Sequence, residues 1–344
     1  MTQNKSMTIN RIPAPTYRWL HMNEARTEAF SGGEAGGEKH IPEGVVAEAR
    51  TFSAGTIPTG VGSELDSLME AAGSRQDHYV VPAGSRIDDP LRLSYQAGSE
   101  DAVAPVSIEV EQGARCTVIV WIGSEGEGAR LASQIRARIG QGASLRLVEV
   151  VYAPKSDIFC DIGIETEEKG SFELVQLFLA AAHTFSGTRC ELVGDGSSME
   201  ADIAYRLGRE SLDMNYIANH RGKKTTSRMD VAGVLGNGAE KLFRGTIDFK
   251  RGAKGAVGNE QEDALLLDKD VVNRTIPLIL CAEEDVEGNH GATIGRLGED
   301  LLFYLQSRGM NTEQIYEMMA RARIDAVANR IGDAETQEAV QGLL

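Results

Sequence analysis

Between about residue 78 and residue 281 the chain alternates short runs rich in Val, Ile and Leu with tight turns of small residues. The stretches VSIEVEQGARCTVIVWIG, QIRARIGQGASLRLVEVVY, DIGIETEEKGSFELVQLFL and CELVGDGSSMEADIAYRL each pair two period-two strands through EQGA, GQGA, EKGS or GDGS. The turn glycines Gly113, Gly142, Gly170 and Gly196 are 29, 28 and 26 residues apart, and Gly222 lies a further 26 on. A unit of this size cannot bury an apolar face alone, whereas stacked units can. The near-constant period therefore predicts a solenoid of two strands per coil, a β-helix or flattened β-roll. A sandwich of regular hairpins is the alternative.

The flanks read differently. NRIPAPTYRWLHMNEAR, from Asn10, is Pro-restricted and then offers Tyr17, Trp19 and Leu20 as apolar anchors of a short helix. The Gly- and Glu-rich residues 31–44 read as a flexible linker. SELDSLMEAAGS predicts a helix capped by Ser63, with Leu65, Leu68 and Met69 on one face. At Glu299 helical spacing takes over. EDLLFYLQSRGM carries Leu301, Leu302 and Leu305, and Gly309 ends it. Asn311 or Thr312 then starts a helix bearing Ile315, Met318, Met319, Ala322, Val327 and Ile331. A third short helix is expected in DAETQEAVQGLL. This gives an N-terminal helical region with a linker (1–77), a strand core (78–296) and a C-terminal helical domain (297–344). The helical domain caps the solenoid, and its Met-rich face is also of the kind that docks partners.

Charge excludes some functions. Lys plus Arg number 35 against 51 Asp plus Glu, a formal net charge of −16, which repels nucleic-acid phosphate and anionic membrane. No apolar run is long enough to span a bilayer, and the polar N-terminus lacks a secretory core. The cysteines Cys116, Cys160, Cys190 and Cys281 are far apart, as in buried thiols of a cytoplasmic protein. No phosphate loop, nucleophile elbow, metalloprotease or dinucleotide motif is present. His220, Arg221, Lys223, Lys224 and Arg228 form a basic segment, which reads as a solvated turn before an anion site. His21, His40, His78 and His183 have no companions in sequence.

His290 is the strongest candidate residue. It follows Glu283, Glu284, Asp285 and Glu287, but on an extended strand only Glu284 shares its side. No local metal triad forms, so a ligand site would need groups from another coil or another chain.

HGATIG from His290, FYLQSRG from Phe303, and the surrounding stretch from about residue 215 to 330 resemble the SufB/SufD family of iron–sulfur cluster assembly proteins. The match is weaker through the preceding strands, and these motifs and NRIPAPTYRWLHMNE look most like the SufD branch. The resemblance implies a right-handed parallel β-helix with a C-terminal helical domain, in a complex with a SufC-like ATPase and a SufB-like subunit. It implies that the C-terminal helices, with Phe303, Tyr304, Arg308, Ile315, Met318 and Met319, dock the ATPase. It also implies that His290 lies near the SufB–SufD junction, as a cluster-assembly residue and iron ligand. The family's SufB-type Cys-Asp pair reads Glu262-Asp263 here, so no thiolate is supplied there. Cys281, nine residues before His290, is expected to face away and pack. The chain is thus expected to be a non-enzymatic subunit with no tightly bound cofactor, only a transient cluster at the complex interface. The alternatives are a homodimeric scaffold working with SufC alone and a β-helix enzyme acting on polysaccharide. The 6% aromatic content argues against the latter.

Overall fold

The computed structural model describes residues 6–16, 18–124, 128–236 and 238–344. It is a parallel β-solenoid of two faces. One face contains Leu91–Ala97, Arg115–Ser124, Ser198–Leu207, Thr226–Leu235, Ala256–Leu266 and Val286–Gly295. The other contains Arg75–Val81, Ala102–Val110, Arg130–Ile139, Ser211–His220, Glu240–Phe249 and Val272–Cys281. Two long strands, Ser144–Thr166 and Ser171–Leu192, round a corner and contribute one segment to each face. Every strand of the stack pairs in parallel with the strand one coil before or after it. The small-residue turns are therefore present as expected, but they are corners rather than hairpins, because the strands they join belong to opposite faces.

Along one edge of the stack each corner has a left-handed backbone position whose N–H donates to the next coil's corner carbonyl. Gly84, Gly113, Gly142, Lys169, Gly196, Lys224 and Gly255 occupy this slot with φ between 54° and 71°. Gly170 and Gly222, which the glycine count used, lie beside the slot. Lys169 and Lys224 take the slot there, and their N–H bonds to the next coil, at 3.0 and 2.8 Å, hold them in a conformation glycine reaches more easily.

The interior between the faces is mostly apolar, with Leu145, Leu147, Ile162, Phe172, Met214 and Phe249 fully buried. The outsides are covered as well. Helix α3 (Thr312–Ala328) and helix α4 (Ala334–Gly342) lay Ile324, Val327, Ala328 and Val340 on Val148, Val150, Val175 and Leu177. We call this the helix face. Helix α1 (Ser63–Ala71) and the N-terminal segment place Met7, Ile9, Leu65 and Met69 over Val103, Ala132 and Phe159 on the other, strap face. Burial on both sides explains why the middle strands read as continuous apolar runs instead of clean alternation.

The N-terminal 3-10 turn, Arg18–Leu20, buries none of its residues. Trp19 and Leu20, expected as anchors, are 76% and 40% exposed, and Tyr17 lies outside the described residues. Met22 and Ile12 anchor the segment instead. Residues 31–44 are not a free linker: Gly33–Glu34 pairs with Ala102–Val110 and Lys39–His40 pairs antiparallel with Leu91–Ala97. Ser63 is the first residue of α1 rather than its cap, which is Gly62 with no side-chain bond. The Asn311 expectation holds, since Asn311 Oδ1 accepts from Gln314 N and Gln314 Oε1 from Asn311 N. Helix α2 (Glu299–Ser307) ends just before Gly309 at φ 92°.

The segment Ile57–Val61 lies backbone against backbone on the strap face. A Cβ at Gly187 would sit 2.2 Å from Val61 N, whereas one at Gly33 would meet nothing within 4 Å. Gly187→Ala should therefore destabilise the fold by about 1–3 kcal/mol, and Gly33→Ala should change it little. Urea unfolding of both variants checks this.

Candidate functional site

The two ends of the stack differ. At the first coil, Val46–Thr51 pairs antiparallel with Arg75–Val81, and Lys39–His40 covers part of Leu91–Ala97. At the last coil, Val272–Cys281 pairs only with Glu240–Phe249, and Val286–Gly295 pairs only with Ala256–Leu266. Both terminal strands therefore carry a free hydrogen-bonding edge among the described residues.

His290 lies on this last strand in register with Glu260. Buried Gly258, Glu260 and Glu262 alternate with outward-facing Asn259 and Gln261, so the same parity turns Gly288, His290, Ala292 and Ile294 inward. Because no further coil covers this row, His290 and Ile294 are exposed although their parity is that of a core position. On the outside, Asn289 Nδ2 donates to Asn259 Oδ1 at 3.1 Å and to Glu287 Oε1 at 3.1 Å, which fixes the register.

Beneath the terminal coil lies a charged floor. Glu262 forms a buried ion pair with Lys241, and both side chains are at most 1% exposed. Thr275 Oγ1 donates to Glu262 Oε2 at 2.6 Å and accepts from Lys241 Nζ at 3.2 Å. Glu260 is 5% exposed. Its pKa is pushed up to about 8, first by burial and then by the Glu262 charge, with Lys241 pulling the other way. Gly245, on the facing strand, leaves room for that carboxyl: a Cβ there would come 2.1 Å from Glu260 Oε2. Thus the position the family resemblance assigned to a thiolate holds a carboxylate locked to an ammonium.

The cysteines divide clearly. Cys116, Cys160 and Cys190 are buried, and burial raises all three thiols, Cys116 to about 12, so they stay protonated. Cys281, expected to pack away, is exposed and donates to the Glu283 carbonyl at 2.9 Å. The chain turns between Cys281 and Val286, so counting parity through that interval fails. Cys281 is in register with inward-facing Phe249 and belongs to the open end's inner row, as His290 does from the other face. No cluster of three or more His, Cys, Asp or Glu able to hold a metal ion occurs among the described residues.

Four of the other five histidines have local side-chain partners. His40 meets Asp89, His78 meets Ser107 and His183 meets Ser211. His220, buried between Thr225 and Ser227, has its pKa lowered to about 4 by burial. Within the basic segment, Arg221 pairs with Glu191 and Arg228 with Glu200, Asp202 and Asp230.

A second exposed feature lies on the C-terminal helices. Helix α2 buries no residue, and Leu301, Phe303, Tyr304 and Met318 are 43%, 74%, 52% and 41% exposed. Arg308 stacks on Tyr304, 5.3 Å from the ring centroid. Ile315 is fully buried and cannot line this patch, and Met319 is partly buried against Val234, Leu265 and Ala320.

The family model for the SufBD core domain of SUF-system FeS cluster assembly matches residues 94–323. A SufBD-family iron–sulfur cluster assembly protein of Staphylococcus epidermidis is 25% identical over 287 residues, covering 80% of this chain and 60% of that protein. Those of Staphylococcus haemolyticus and Staphylococcus aureus are 24% identical with the same coverage. The chain thus spans about 60% of the length of these curated relatives.

The raised pKa of Glu260 sets a pH signature. Its folded pKa lies above the unfolded value, so between about pH 4.5 and pH 8 the native state holds more protons and stability falls as pH rises. Glu260→Gln should remove that slope, leaving the variant more stable than the parent at about pH 8.5 and closer to it at about pH 5. Urea midpoints at the two pH values measure this.

Proposed function

This chain belongs to the SufBD family of iron–sulfur cluster assembly proteins, and from that premise we propose that it is a non-enzymatic, SufD-like subunit of a cytoplasmic SUF complex. In this reading its open solenoid end pairs with a SufB-like subunit, and its C-terminal helices dock a SufC-like ATPase. His290 is an iron ligand during transient assembly of a cluster, which is cargo rather than a resident cofactor. The observation that carries the reading is the exposed inner row at the open end. His290 and Cys281 are accessible there, yet the described residues supply no complete metal-binding set. A second chain stacked on that end would continue the coil, cover Ile294 and add the missing donors.

The chemistry suits the residue. A neutral imidazole binds iron and can exchange with thiolate ligands, as a site that must release its cargo requires. The Lys241–Glu262 floor supports the SufD-like assignment, because it leaves no thiolate on that strand. The two terminal strands are unequal as docking edges: Pro277 removes one backbone donor from Val272–Cys281, whereas Val286–Gly295 has no proline. The strand bearing His290 is therefore the better edge for a partner. Leu301, Phe303, Tyr304 and Met318 give the ATPase an apolar surface on α2 and α3; α2 packs on α3, which rests on the solenoid strands, so movement of the ATPase can reach the stack.

A homodimeric scaffold would use the same edge, since a terminal strand can pair with its own copy. Co-purification separates the two: recovery of an ATPase with a SufB-like chain supports the first reading, and an ATPase with this chain alone supports the second. In the reconstituted complex, His290→Ala should leave assembly intact and lower cluster formation about tenfold or more. Phe303→Asp should weaken ATPase capture. Unchanged cluster yield with His290→Ala would remove the assembly role.

A further inference from the structure

We propose that the N-terminal strap is a second docking site, for an acidic segment of a protein partner, with Trp19 as its apolar anchor and Arg11, Arg18 and Arg26 as its charged rim. The site lies on a different part of the molecule from the ATPase-docking patch and does not depend on the cluster-assembly reading.

The strap is held rigidly from below. Fully buried Arg244 donates from Nε to the Met22 carbonyl at 2.6 Å and from Nη1 and Nη2 to the Asp213 carboxylate at 2.5 and 3.1 Å. Asn10 Nδ2 donates to the same carboxylate at 2.7 Å, and Asn10 N donates to the Val61 carbonyl at 3.0 Å. Asn23 closes the loop across its neck, its carbonyl accepting from Ile12 N and its Oδ1 from Thr16 N, both at 3.0 Å. The turn that carries Trp19 is thus presented on a fixed base.

Among the described residues, no hydrogen bond, ion pair or ring contact engages the Trp19 side chain. Trp19 is 76% exposed, the highest value among the large apolar side chains of the described residues, and Leu20 beside it is 40% exposed. Next to them is a cleft of about 750 Å³ lined by Arg11, Arg18, Arg26, His21 and Glu24. Among the described residues Glu24 is its one lining carboxylate, shared by Arg11 at 3.4 Å and Arg26 at 3.0 Å, and Arg18 makes no ion pair. With three guanidiniums against one carboxylate, the cleft is locally cationic in a chain of net charge −16.

That contrast selects the occupant. The overall field repels acidic partners, so an acidic segment can settle only where the local sign reverses. Exposed Trp with surrounding Arg is the composition that dominates binding energy at protein interfaces, with the ring filling an apolar socket and the guanidiniums gripping carboxylates. A free small anion would satisfy the arginines but leave the indole uncovered.

The test uses the full chain and a short fluorescein-labelled peptide in which Asp and Glu flank a Leu-Phe pair. Fluorescence anisotropy should show binding at low salt that weakens steeply as salt rises. Trp19→Ala and Arg18→Glu, both at exposed positions, should each weaken it about tenfold or more, with unchanged thermal unfolding as the control for folding. The same peptide with Asn and Gln in place of the acids should bind at least about tenfold less tightly. Absence of binding, or equal binding by both variants, overturns the proposal. So does displacement by inorganic pyrophosphate that itself binds equally well to Trp19→Ala, which would make the cleft a small-anion site. A dimer seen by light scattering and dissociated by Trp19→Ala would assign the surface to a second copy and also overturn it.

Discussion

Parallel stacking of coils is the constraint on which the rest of the structure depends. Each strand hydrogen-bonds to the coil before and the coil after, and each inward side chain is covered by its neighbours along the stack. A solenoid therefore always has two ends where this covering stops. Here the first end is blunted by antiparallel strands from the N-terminal region, and no described strand pairs with the last. The exposed histidine, the exposed thiol and the free strand edge are consequences of that one interruption.

The outer layers follow from the same geometry. A two-faced stack has two outer surfaces, and the middle strands are apolar on both sides of the sheet. One surface is covered by α3 and α4, and the other by α1 and the N-terminal segment. Helix α2, which packs on α3, carries Phe303 and Tyr304 in the open, so this exposed apolar patch is joined through α3 to the strands. Covering the other with a segment clamped by Arg244 leaves the Trp19 turn projecting from a fixed support.

The period and the helical spacing were legible because they are repeated, and repetition averages over local exceptions. Single positions were less legible. Lys169 and Lys224 occupy left-handed corner slots that a count of glycines assigns one or two residues away. The Gly- and Glu-rich residues 31–44 have linker composition, yet their pairing partners are more than fifty residues distant in sequence, beyond any local pattern. Trp19 and Leu20 carry the composition of anchors, and sequence does not say whether an apolar residue anchors its own chain or another. Strand parity placed Glu284 and His290 on one side but could not reveal Glu260, thirty residues earlier and directly in register. It also misplaced Cys281, because the terminal turn resets the alternation. Spacing alone left the role of His290 open, and the family motif around it only directed attention to that residue.

The central claim is that the last coil is an interface awaiting another chain. Hydrogen–deuterium exchange of the isolated protein and of its complex with a SufB-like subunit tests it most directly. The account predicts fast exchange along Val286–Gly295 in the isolated chain and slowing by about tenfold or more in the complex, with the first-coil strands unchanged. Equal exchange along that strand in both states, with complex formation verified by mass, would contradict it.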